Sequence, residues 1–548
     1  MLGPVAAGLA GTLAPAFGWL PPLGGDAFSL APWHDLLATP GLGTSVRLSL
    51  VTGLAATALS LALTLLICAA FQGSRLFRLI ERALSPLLSV PHAAAAFGLA
   101  FLIAPSGWIA RAVSPWATGW ERPPDLLTTN DPAGLALIAG LVAKEVPFLL
   151  LMTLAALAQA DARRMRLAGL TLGYGPVAAW LAGVLPRIYP QIRLPVYAVL
   201  AYSMSVVDVA MILGPTTPPP LSVRLVEWMR DPDLTLWFRA AAGAVLQIGL
   251  VAGALLLWRA GELAVARLGR RWLEAGYRPR GEGALRILAG AAAALIALSV
   301  ALGLAAMALW SVAGLWRFPD ALPDGLSLRV WMRQGSSLAD PILSTLGIAA
   351  VTALAALALT VACLEAEHRH GRQPTSRSLW LLYAPLLVPQ TGFLFGLQIA
   401  AAAGDVTPGP AAVAAAHLVF VLPYVFLSLS GPYRAWDTRQ ATVAHSLGAG
   451  PDRVLWAVRL PMLLGPLLTA FAVGFAVSVG QYLPTLLIGA GRVETLTTEA
   501  VSLAAGGDRR LIGLYAILQM AAPLPAFMLA IALPALLWRR RRAMTVAQ

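Results

Sequence analysis

Residues 46–70 read VRLSLVTGLAATALSLALTLLICAA, a run whose single charge is Arg47. As an α-helix it would extend about 37 Å at 1.5 Å per residue. That exceeds the roughly 30 Å hydrocarbon core of a bilayer. The run does not alternate apolar and polar residues, as a membrane barrel strand would. Comparable runs recur along the 548 residues, near 2–20, 83–104, 133–155, 190–213 and 237–258. They continue near 284–310, 341–364, 379–403, 411–431, 461–489 and 511–538. Composition agrees: 58% of residues are hydrophobic and 12% are charged, with a mean hydropathy of +0.75. A water-soluble surface would need about twice that charge. The expectation is an all-α polytopic membrane protein with about 12 transmembrane helices. The first run is the weakest, being short and interrupted by Pro15. It lacks a basic flank, which leaves open whether residues precede Met1, and no cleavable leader is evident.

The formal charge of +13 follows from the Arg-rich inner loops of membrane proteins. It is not a nucleic-acid surface, because no basic stretch is interleaved with aromatics. With the N-terminus inside, most of the basic residues fall on the cytoplasmic side, in loops near 71–82, 156–189, 259–283, 365–378 and 432–460. The Arg539–Arg542 run ends the last helix on that face. Both termini are therefore expected in the cytoplasm of a bacterial-type cell, with the chain in its inner membrane. Lys144 is the only lysine, and it sits in LVAKEVPF with no glycine loop before it. A P-loop needs Gly-rich backbone followed by Lys and Ser/Thr to hold phosphates, so no such ATPase site is encoded. Cys68 and Cys363 lack metal-ligand spacing and read as small buried hydrophobes.

The chain repeats itself. Ser49-x7-Thr57-Ala-Leu matches Ser344-x7-Thr352-Ala-Leu, and Cys68 matches Cys363 at the same offset of 295. SPLLSVPHAAAAFGL (85–99) matches APLLVPQTGFLFGL (384–397), with Pro91–Gly98 and Pro389–Gly396 equally spaced. Gly173 and Leu185-Pro186 match Gly448 and Leu460-Pro461 at offset 275. Two pseudo-symmetric halves follow, 1–260 and 284–548, joined by a basic linker at 261–283 that reads as a solvated charge run. Halves in a common orientation place a pore on the axis between them.

Two Arg-rich loops carry the strongest functional pattern. RRMRLAGLTLGYGPVAAWLAGVLP (163–186) and RQATVAHSLGAGPDRVLWAVRLP (439–461) each read as helix, glycine, then helix. Ala441, Ala444 and Leu447 share one helical face. Gly448 suits a left-handed stop and Pro451 the first turn of the next helix; Gly173 and Pro176 do the same in the first loop. These segments resemble the conserved loop of binding-protein-dependent ABC importer permeases, Glu-Ala-Ala-x3-Gly-x9-Ile-x-Leu-Pro. The resemblance implies that each short helix docks on an ATP-binding subunit and passes its closure to the pore. The family glycine falls on Gly173 and Gly448, and the Leu-Pro pair on Leu185-Pro186 and Leu460-Pro461. The Ile position is Gly183 in one loop and Val458 in the other. The Glu-Ala-Ala positions are Leu167-Ala168-Gly169 and Thr442-Val443-Ala444, so both loops lack the acidic residue.

Nearly the whole chain is similar to fused, duplicated permeases of the ferric-iron and thiamine type. SVGQYLPTLLIGAGRVETLTTEAVSLAAGGDRR (478–510) is similar to an uncharacterised branch of them. The resemblance implies alternating access, two ATP-binding subunits that bind the ATP, and a periplasmic solute-binding protein. No cofactor is expected in this chain. Within the spans, Lys144, Glu145 and Asp208 are costly charges that face protein or water. Asp208, with Gln481 as its counterpart across a short gap, is the foremost pore-lining candidate beside Lys144 and Glu145. His368 and His370 read as a solvated loop and His92 as a helix-contact residue; no metal site is expected. No nucleophile–base set appears, which disfavours an enzyme. An ion-coupled secondary transporter using Lys144, Glu145 and Asp208 is the alternative. The sequence leaves the cargo open.

Overall fold

The computed structural model describes residues 2–279, 281–372 and 375–537; the Arg539–Arg542 run lies outside them. No β-strand occurs among the described residues. The principal helices are α1 (Leu2–Ala16), α2 (Leu42–Phe71), α3 (Arg75–Ser89), α4 (His92–Ile103) and α5 (Leu135–Gln159). A hairpin of α6 (Ala162–Thr171) and α7 (Pro176–Gly183) leads into α8 (Leu185–Ser205), α9 (Asp208–Leu213), α10 (Leu221–Met229) and α11 (Leu236–Glu274). The remainder comprises α12 (Gly283–Ser311), α13 (Ala339–Arg369), α14 (Ser376–Leu387), α15 (Gln390–Ala403) and α16 (Pro410–Arg434). After these come α17 (Arg439–Ser446), α18 (Pro451–Val454), α19 (Leu464–Val479), α20 (Leu483–Ile488), α21 (Leu496–Ser502), α22 (Arg509–Ala521) and α23 (Leu524–Leu537).

Among the described residues eight helices are long and apolar enough to cross a membrane, or ten if two bent pairs each count as one span. The other two of the twelve expected runs are α1, only 15 residues long, and the 190–213 segment, which breaks between α8 and α9. The breaks have local causes. Proline disfavours helical geometry in the residue before it. Val90 before Pro91 is extended (φ −71°, ψ 123°), as is Val388 before Pro389 (φ −83°, ψ 129°). The repeated proline thus divides α3 from α4 and α14 from α15. At Val206 the released carbonyl accepts from the Ser222 hydroxyl at 2.7 Å.

The first helix of each half packs on the other half. In lipid no hydrophobic force drives helices together, and close backbone approach through small residues substitutes for it. Helix α1 crosses α15 where a methyl group on Gly396 would collide with the Gly8 carbonyl. There Thr12 Oγ1 accepts from Gly396 N at 3.0 Å. Helix α12 likewise crosses α4, with Gly303 against the backbone of Gly98. The repeated glycines Gly98 and Gly396 are therefore the crossing points.

Candidate functional site: two loop hairpins and an intramembrane polar cluster

In the first loop, Asp161 caps α6 by accepting from Arg164 N at 3.3 Å. Gly173 then adopts φ +85°, and Tyr174 N donates back to Gly169 O at 3.2 Å. Gly175 precedes Pro176, the first residue of α7. The second loop repeats this: Gly448 has φ +83°, Ala449 N donates to Ala444 O at 3.0 Å, and Gly450 precedes Pro451 of α18. Left-handed geometry penalises any Cβ, which is why glycine occupies both turns. Ala441 is buried and Ala444 packs beside it. Leu447 turns outward, 82% exposed, and Leu172 at the matching position is 62% exposed. Of the residues in the family pattern, Leu167 and Val443 are also exposed.

The two hairpins are anchored differently. Gln72, just past α2, accepts from Arg166 Nη1 at 2.8 Å through its carbonyl and from the Trp180 indole at 2.7 Å through its side chain. The Glu282 carboxylate receives Val177 N at 2.7 Å and Ala178 N at 2.9 Å, closing the open N-terminus of α7. Glu282 belongs to the 261–283 segment, expected to be merely solvated. Most of that segment is exposed, and it also makes specific contacts: Trp272 meets Tyr174 edge-on at 5.8 Å and the Arg278 guanidinium lies 5.6 Å from the same ring. These contacts combine long-range partners, which local composition cannot report.

The second hairpin is held through Arg459. Residues Leu455–Arg459 form a π-helical turn between α18 and Leu460-Pro461. Arg459, buried, donates to Glu365 of α13, which also receives Tyr433 Oη. Its guanidinium stacks 4.4 Å from the Trp436 ring. Arg369 bridges Glu365 at 2.7 Å and Asp452 at 2.8 Å. In the first half Val184 stands at the position matching Arg459. There Glu262 of α11 gathers Tyr189 (2.8 Å), Arg193 (3.1 Å) and Arg259 (2.6 Å) instead. Outside the spans, hydrogen bonds from Arg439 hold the exposed Asp437 carboxyl below the usual range. His368 Nε2 faces Arg459 Nη2 at 2.6 Å, and His370 Nδ1 lies 2.9 Å from Ala366 O. Among the described residues no group of three His, Cys, Asp or Glu could hold a metal. Cys68 is buried whereas Cys363 is exposed, contrary to the expectation of two buried thiols.

Inside the spans, Lys144 and Glu145 are both buried but serve different neighbours. Lys144 Nζ donates to Val90 O at 2.6 Å, at the proline break. Glu145 Oε1 lies 3.4 Å from His92 Nε2. The His92 ring lies 5.0 Å from the Tyr202 ring, tilted by 58°, and Asp208 is the buried first residue of α9. Gln481 lines a tight recess with His417, Ser478 and Thr485. Thr485 donates to Gln481 O, so it accepts from His417 Nε2, and Ser478 serves Nδ1. The starts of α9 and α20 align Asp208 with Leu483 rather than Gln481. His92, Tyr202, Glu282, Arg459 and His417 were not singled out by sequence as functional. Only His92 carried a signal, by preceding the repeated Ala/Phe-Gly segment.

Residues 369–538 match the family described as "Binding-protein-dependent transport system inner membrane component". The inner membrane ABC transporter permease protein YnjC of Escherichia coli is 31% identical over 92% of this chain and 90% of its own length. The putative 2-aminoethylphosphonate transport system permease protein PhnV of Salmonella typhimurium is 26% identical over 42% of this chain and 87% of its own. The molybdenum transport system permease protein ModB of Mycobacterium tuberculosis is 35% identical over 18% of this chain and 38% of its own.

Proposed function

Since this chain belongs to the family of inner membrane ABC transporter permease proteins, we propose that residues 163–176 and 439–451 are its coupling loops. The protein is the transmembrane permease subunit of an ABC importer. In the proposed mechanism each loop seats on one copy of a separate ATP-binding subunit on the cytoplasmic side. Closure of those subunits on ATP displaces both hairpins and switches the pore between outward and inward access. Nucleotide can drive that switch only by favouring one geometry over the other. A periplasmic solute-binding protein delivers the cargo, and both termini lie in the cytoplasm. The two halves derive from duplication, in the manner of the ferric-iron and thiamine fused permeases.

One observation carries this reading: two exposed hairpins turn on left-handed glycines, each preceded by an outward leucine, Leu172 or Leu447. An exposed leucine at matched positions gives a partner groove an apolar anchor without weakening the permease itself. The missing glutamate of the family pattern is offset by that apolar contact. The test is co-purification of the ATP-binding subunit with Leu172→Asp, Leu447→Asp and the double variant. Stepwise loss of the partner, with an unchanged permease elution profile, is expected. Full retention by the double variant refutes docking at these loops. The substrate path is assigned to Asp208, Glu145, Lys144 and Gln481, joined by His92 and Tyr202, which pack beside Glu145.

A further inference from the structure

We infer that Glu282 is a positioning residue that ties the first coupling loop to the first helix of the second half. The inference rests on the reading of 163–176 as a coupling loop. The first four N–H groups of a helix have no partner within it, and a carboxylate there gains charge-assisted hydrogen bonds. Glu282 supplies both oxygens to α7, at 2.7 and 2.9 Å, from 105 and 104 residues away in the chain. It also immediately precedes Gly283, where α12 begins. The approach is close enough that a methyl group on Gly175 would collide with the carboxylate. Trp272 and Arg278, on the same linker, enclose Tyr174. The first hairpin and the start of α12 are therefore one mechanical unit.

That unit crosses between halves. Helix α12 packs on α2, α4 and α22, and its Gly303 lies against Gly98 of α4. Helix α4 starts at His92, in the intramembrane polar cluster. Displacement of the first loop is passed through Glu282 to α12 and so to α4. The second hairpin has no such tie among the described residues: a Cβ on Gly450 meets nothing, and Asp452 pairs with Arg369 of α13, in its own half. The two loops thus deliver their motion by different routes, one across the halves and one within a half.

The test needs no cargo. In nanodiscs holding the permease with its ATP-binding subunit, hydrogen–deuterium exchange is followed with and without ATP and vanadate. In the unaltered complex nucleotide changes exchange at both 163–176 and 283–311. Glu282→Ala speeds exchange of the Val177 and Ala178 amides about tenfold, the scale of one lost charge-assisted bond. It also abolishes the response of 283–311 while leaving that of 163–176. Glu282→Gln, which keeps one acceptor oxygen, restores part of the 283–311 response. A full response at 283–311 in both variants overturns the tie and leaves the coupling loops standing. Silence at 163–176 in the unaltered complex overturns the coupling-loop reading itself.

Discussion

Replacing Gly448 by alanine tests whether the hairpin turn must be left-handed for the partner to bind. A Cβ built on Gly448 meets no atom within 4 Å, so crowding contributes nothing. The whole penalty lies in the backbone, whose φ of +83° costs an alanine about 1–2 kcal/mol. If that energy must be supplied each time the loop seats, affinity for the ATP-binding subunit falls roughly 5- to 30-fold. Gly448→Asn, whose side chain tolerates this region better, loses less. The assay is a titration of the fluorescently labelled ATP-binding subunit onto the permease in nanodiscs. Gly249→Ala, on an exposed face of α11 with nothing within 4 Å, is the control for a glycine change without the turn. Binding of Gly448→Ala within twofold of the control would show that the left-handed turn does not shape the docking surface.

Gly98→Leu and Gly396→Leu force apart helices whose backbones touch. Each should lower stability by about 1–3 kcal/mol or more, measured as earlier thermal aggregation in detergent, with Gly249→Leu neutral. Arg459→Ala leaves Glu365 buried with only Arg369 and Tyr433, so a loss of about 3 kcal/mol is expected. Arg459→Lys should recover little of it, because an ammonium cannot reproduce the stack on Trp436. Asp208→Asn should reduce binding-protein-stimulated ATP hydrolysis in proteoliposomes while the ATP-binding subunit still co-purifies. Unchanged stimulation removes Asp208 from the substrate path. In a Cys363→Ala background, Leu447→Cys should react with an impermeant maleimide in inverted vesicles and not in spheroplasts.

The class of the protein was legible from runs such as 46–70, because the cost of unpaired backbone in lipid leaves few alternatives for an apolar stretch of that length. The hairpins were equally legible, since Gly173, Gly448, Pro176 and Pro451 act through their own backbone geometry, and Pro91 and Pro389 each leave the preceding residue extended. Span counting was less secure: α8 and α9 separate at Val206 without a proline, and a hydropathy window sees through that break. Pairing Asp208 with Gln481 rested on an inserted gap, whereas the aligned starts of α9 and α20 put Leu483 opposite.

By itself, then, the sequence determined the solvent, the two hairpins and the repeated motifs, all set by residues within a few turns of one another. Only the tertiary structure decided that α1 and α12 each lie across the opposite half, that Glu282 closes α7, and that Arg459 joins Glu365. Lipid tails are as apolar as leucine, so an apolar helix surface carries no mark of whether lipid or a helix hundreds of residues away will cover it. Partners chosen by backbone proximity or by a single buried charge appear only once the chain is packed.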